Sequence, residues 1–120
     1  MFSFMNDYSE KRNLALLRAA ILIIEANPNP VQYVKIAQDS FIRTLSGGLG
    51  RSNPLFAKKA ETMSLLEMSS TLRKCSNFGK RSIADTLSAA FAATGKAQES
   101  RELLMEIAFE CDIPRNYLSL

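Results

Sequence analysis

Apolar residues recur along the chain with the period of helices, and clusters of proline, glycine and asparagine separate the segments so marked. The first segment covers about residues 9–26, with Ser9 a suitable N-cap and Asn27-Pro28-Asn29-Pro30 the stop. On a helical wheel Lys11, Arg18 and Glu25 fall in one narrow wedge. Leu14, Leu16, Leu17, Ala19, Ala20 and the run of residues 21–24 cover nearly all the rest. A helix apolar almost all round is a buried one. The segment is therefore expected at the centre of a helical bundle or in a dimer seam.

A second helix is predicted over about residues 30–45, capped by Asn29 with Pro30 at the first position, where a missing N–H costs nothing. Val31, Val34, Ala37, Phe41, Ile42 and Leu45 share one face, with Tyr33 and Ile36 on the opposite side. Residues 47–53 read as a flexible loop, and Asn53-Pro54 repeats the cap-plus-proline start. The third segment, about residues 54–76, changes its apolar side midway. Leu55, Phe56, Ala60, Met63 and Leu66 share one face, whereas Leu65, Met68, Leu72 and Cys75 share another. Either a break near residues 61–63 or a straight helix held between two layers produces that pattern. Asn77-Phe78-Gly79 reads as its end. A fourth helix over about residues 82–93 turns Ile83, Leu87, Ala90 and Phe91 inward, and a fifth over about 97–111 does so with Leu103, Leu104, Ile107, Ala108 and Cys111 before Pro114 stops it. The pattern predicts an all-α single domain, a bundle of about five helices around the first.

Composition agrees with that picture. The chain has 120 residues, 47% apolar and 22% charged, with 5 glycines and 4 prolines, which suits one globular domain with long helices. The net charge of +3 is mild but unevenly spread. Residues 51–81 carry seven basic and two acidic side chains, and residues 82–120 three basic and six acidic. Such a chain either presents a basic surface or neutralises itself across the fold. Cys75 and Cys111 form no CxxC motif and read as reduced, buried thiols. Residues 14–24 are too short to span a bilayer, Arg18 interrupts them, and acidic residues precede them where a secretory signal is basic. A cytoplasmic protein without membrane contact is expected.

The absence of histidine removes the commonest general base and the commonest metal ligand together. Gly79-Lys80-Arg81-Ser82 ends like a phosphate-binding loop, but Lys74 stands where the first glycine belongs. No nucleophile elbow is present. Glu99, Glu102, Glu106 and Glu110 line up on the fifth helix without the Glu-x-x-His that a di-iron bundle needs; they read as a solvated face or an acidic docking surface. Neither enzyme activity nor a cofactor or metal is expected. Arg51, Lys58, Lys59, Arg73, Lys74, Lys80 and Arg81 make a basic patch suited to nucleic acid or a partner. A helix-turn-helix reading would make residues 82–93 the reader, yet that segment offers no side chain that reads base edges. Tyr33, Ile36, Met105 and Phe109 fall away from the predicted core and mark a candidate apolar interface. The sequence points to a small non-catalytic regulator or adaptor acting by protein–protein contact (an inhibitor, immunity or chaperone-like protein), with a homodimer expected from the surplus apolar surface of the first helix. The alternative is a nucleic-acid-binding protein using residues 51–81.

Overall fold

In a computed structural model, which describes residues 2–50 and 55–120, the helical pattern is realised as six α-helices. They are α1 (Phe2–Glu25), α2 (Gln32–Gly50), α3 (Phe56–Thr62), α4 (Leu65–Arg73), α5 (Asn77–Ala93) and α6 (Gln98–Glu110), followed by a 3-10 turn at Arg115–Tyr117. No strand occurs among the described residues. The radius of gyration, 13.7 Å, is that of one compact chain of this length, for which roughly 13.6 Å is expected.

The residues that fill the wheel of α1 are buried: Ala15, Leu17, Ala19, Ala20 and Ile23 completely, and Leu16, Ile21 and Ile24 nearly so. Lys11 and Glu25 stay in solvent and Arg18 is half-buried, as their shared wedge requires. Each large aliphatic side chain removed from water contributes about 1.5–3 kcal/mol before conformational entropy is counted. α1 touches all five other helices, so the apolar circumference that suggested a dimer seam is covered by its own chain.

The boundaries differ from the sequence expectation where a cap overrides the apolar period. Of the two readings of residues 54–76, the break is the one realised: the segment is two helices. Met63 and Ser64 are extended, with ψ of 134° and 153°, and the Ser64 hydroxyl accepts the Glu67 N–H at 3.1 Å to start α4. Asn77-Phe78-Gly79 opens a helix and does not end one: Ser76, with ψ of 168°, accepts the Gly79 N–H at 3.2 Å. α2 continues through Gly47 and Gly48 to Gly50, and the rest of the expected loop, residues 51–53 with Arg51 among them, lies outside the described residues. Within α2, Val34, Phe41, Ile42 and Leu45 turn inward to a half-buried position, but Val31 and Ala37 are exposed.

Buried polar contacts join distant parts of the chain. The completely buried Ser100 hydroxyl of α6 donates to the Ile23 carbonyl of α1 at 2.7 Å. The Asn27 amide, in the α1–α2 turn, donates to Gln38 Oε1 at 2.8 Å and to the Thr94 carbonyl at 3.4 Å. At the end of α6 the Ile113 N–H returns to the Ala108 carbonyl at 2.8 Å and the Asp112 N–H to the Phe109 carbonyl at 3.2 Å. That is the Schellman closure, with Asp112 in the left-handed region at φ 56°. The chain beyond it lies along α5: Arg81 stacks 4.3 Å from the Tyr117 ring centre, and the Ser119 N–H donates to Ser88 Oγ at 3.0 Å.

Candidate functional site

The fold disperses the basic residues and gives most of them internal partners. Lys58 and Lys59 are exposed on α3, and Lys59 meets Glu10 of α1 at 3.5 Å. Arg73, at the end of α4, donates through Nε to the Glu110 carbonyl at 3.0 Å, and its Nη2 reaches the same oxygen. There it satisfies an orphan carbonyl of α6 and complements the helix dipole. Lys74 caps α4 and is exposed. Lys80 and Arg81 lie inside the first turns of α5 and not in a turn before it. Lys80 is 7% exposed, and its ammonium sits 3.6 Å from the exposed Asp112 carboxylate. Arg81 is spread on Tyr117. Of the six described members of the patch, only Lys58 and Lys74 make no contact with a carboxylate, carbonyl or ring. The helix proposed as a groove reader is committed to the core, with Ile83, Ala84, Leu87, Ser88, Ala90 and Phe91 buried.

The apolar candidates fall on two faces. Tyr33 and Ile36 are exposed on α2, at 76% and 58%. Phe109 is 82% exposed on α6, one turn from the half-buried Met105. Depressions lie around Phe109. One, of about 270 Å³, runs over Met105, Ala108, Ile113 and Leu118. A second, of about 430 Å³, is bounded by Arg73, Asp112 and Pro114. A third lies between α4 and α6, with Leu65, Leu66 and Ser69 on one wall, Glu106 and Glu110 on the other, and Arg73 at the end it shares with the second. Leu66 is 81% exposed and Leu65 56%. An exposed Leu, Leu and Phe on adjoining depressions make a larger apolar surface than isolated surface residues do.

Sequence reasoning placed Phe109 but not Leu65 or Leu66. The apolar period puts Leu66 on the face of Leu55, Phe56, Ala60 and Met63 and Leu65 on that of Met68, Leu72 and Cys75, and leaves the position of a break open. The two extended residues Met63 and Ser64 reset the helical phase, so that Met68, Thr71 and Leu72 become the buried face of α4. The local signal for the break was Ser64 followed by Glu67, the spacing of an N-cap and its third residue. Phe78, 84% exposed in the first turn of α5, was likewise hidden by reading residues 77–79 as a helix end.

The carboxylates of this face are not paired with cations of the described residues. Glu99, Glu102, Glu106 and Glu110 take part in none of the ion pairs among the described residues, which engage Glu10, Asp39, Glu67 and Asp112 instead. Glu102 accepts a bond from Gln98 at 3.2 Å. The two cysteines are unpaired thiols. Cys111 is wholly buried, and that burial pushes its thiol up to about 11 from 9.0, away from the reactive thiolate form. Among the described residues, no cluster of His, Cys, Asp and Glu could hold a metal ion, and no helix is long and apolar enough to cross a membrane. Compared with known protein families, with curated proteins and with solved structures, the chain matches none.

Proposed function

We propose that this chain is a small non-catalytic regulator or adaptor that works by protein–protein contact, with the α4–α6 face as its docking surface. The observation that carries the reading is the placement of Phe109. An aromatic side chain 82% exposed between apolar depressions, with Leu65 and Leu66 across the neighbouring groove, has no function in the chain's own core. Residues of that kind, ringed by polar groups, are the usual anchors of protein interfaces. Free thiols suit action in a reducing compartment such as the cytoplasm.

Among the described members of the basic patch the nucleic-acid reading draws support from Lys58 and Lys74, because the others are held by Glu10, the Glu110 carbonyl, Asp112 or Tyr117. Two exposed cations give a shallow salt dependence, about −0.9 per phosphate contact. A homodimer would use a surface other than residues 14–24 of α1, which the other helices largely cover.

The test compares the wild-type chain with Leu66→Ser/Phe109→Ser as bait in its native host. Both side chains are mostly exposed, so the variant keeps the fold. The reading expects a stoichiometric protein partner that the variant loses. Recovery of one set of proteins by both baits removes this face as the docking surface. Micromolar binding to duplex or single-stranded DNA or RNA that weakens steeply between roughly 50 and 200 mM salt would decide for the rival.

A further inference from the structure

We infer that the occupant of the α4–α6 groove is a basic amphipathic helix of a partner protein, an inference that rests on the protein-binding reading above and names the partner's chemistry. The groove has the form that receives a helix. α4 and α6 end side by side, since Arg73, the last residue of α4, reaches the carbonyl of Glu110, the last residue of α6. The groove between them is lined by Leu65, Leu66, Ser69 and Ser70 of α4 and by Glu106 and Glu110 of α6. From Leu65 to Arg73 the groove extends about 12 Å, two helical turns, and the Phe109 depressions continue it. Its apolar anchors sit at opposite ends, Leu65 and Leu66 at one and Phe109 at the other. An amphipathic helix meets such anchors with side chains spaced three, four and seven residues apart.

The charge on the groove selects among helices. Glu102, Glu106 and Glu110 stand at successive turns of α6, all exposed and none in an ion pair with a described residue. The groove's cation, Arg73, is directed at the Glu110 carbonyl and forms no ion pair with these carboxylates. Two carboxylates therefore stand against one guanidinium in the groove, and Glu102 adds a further negative charge beyond it. A facing helix with Lys or Arg at four-residue spacing matches them turn for turn. A second copy does not: a two-fold axis along α6 would set the glutamate row against itself. Polyanionic nucleic acid is repelled for the same reason.

A displayed library of amphipathic helical peptides, with the apolar face held as Leu and the flanking positions randomised, is selected against the full chain and read by sequencing. The expected outcome is enrichment of Lys and Arg over Asp and Glu at the flanks. The selected peptides should weaken at least tenfold against Glu106→Gln/Glu110→Gln, weaken further with salt, and be lost against Phe109→Ser. Peptides lost against Phe109→Ser but without basic enrichment overturn the partner's chemistry while leaving the protein-binding reading intact. A library that yields no Phe109-dependent binder overturns both. A concentration-dependent dimer abolished by Phe109→Ser, seen by sedimentation equilibrium, overturns the inference in favour of a second copy.

Discussion

Replacing Ser100 by alanine probes the contact that fastens α6 to the end of α1. The last carbonyls of a helix have no partner within it. In α1 the Leu22 carbonyl accepts from the Ala26 N–H at 3.0 Å and the Ile24 carbonyl from the Asn27 N–H at 3.2 Å. The Ile23 carbonyl instead accepts from the Ser100 hydroxyl at 2.7 Å, and both residues are 0% exposed. Ser100→Ala removes one oxygen and opens almost no cavity, so packing is preserved. What it leaves is a dry, unsatisfied carbonyl, whose cost is about 1–3 kcal/mol. For a chain of this size each kcal/mol lowers the melting temperature by about 3–6 °C. Urea unfolding followed by far-UV circular dichroism should show a lower midpoint with an unchanged slope, since the exposed surface is the same. A loss below about 0.5 kcal/mol, the ordinary scatter of surface substitutions, would refute the idea that this hydroxyl is the carbonyl's necessary partner.

Gly47 and Gly48 lie within α2 at ordinary helical φ, and a Cβ at either would meet nothing within 4 Å. Gly47→Ala and Gly48→Ala should each stabilise the fold by about 0.5–1 kcal/mol in thermal melts, and a loss would show that the helix end needs the glycine. Burial keeps the Cys111 thiol neutral up to about 11, whereas the unfolded chain releases that proton from 9.0 upward. Its contribution is therefore complete below pH 9 and is lost as the pH rises towards 11, by about 3 kcal/mol in all. Cys111→Ala should flatten the fall in stability across that window, and identical slopes for the two proteins would contradict the assignment. Lys80→Ala removes a side chain that is only 9% exposed, together with its pairing to Asp112. It should cost about 1–2 kcal/mol in urea unfolding, against nearly nothing for the exposed Lys58→Ala. Equal effects would mean that Lys80 has no packing role.

How much of this was legible in the sequence depends on how local each signal is. The buried surface of α1 follows from the composition of residues 14–24 alone, since no wheel places so many aliphatic residues in water. The division of α3 from α4 shows in the sequence only as a change of apolar side and a Ser64–Glu67 spacing. Without the break, Leu65 and Leu66 could not be placed on the surface. Partners of the basic residues were not legible at all. Lys80 meets Asp112, and Arg73 meets Glu110, through a packing of α4, α5 and α6 that no periodicity encodes. Phe109 was legible because α6 is one uninterrupted helix with a single apolar face.

The partners of α1 are far away along the chain, and that sets the order in which the fold can be completed. α1 packs on α4, α5 and α6 as well as on its neighbours, and its Ile23 carbonyl waits for a hydroxyl 77 residues later. At a synthesis rate of about 5–20 residues per second, that wait lasts about 4–15 s. During that interval α2, α3, α4 and α5 become available in turn, and the cover over residues 14–24 is completed only by α6. Helical proteins with neighbour-to-neighbour topology close such surfaces almost as fast as they are made, and their low contact order makes them quick folders. Here the most apolar helix is made early and fully enclosed only at the end, so the nascent chain carries an incompletely covered aliphatic helix until α6 is made. A ribosome-associated chaperone would find its strongest binding segment there, and chains halted before α6 would be the ones that aggregate.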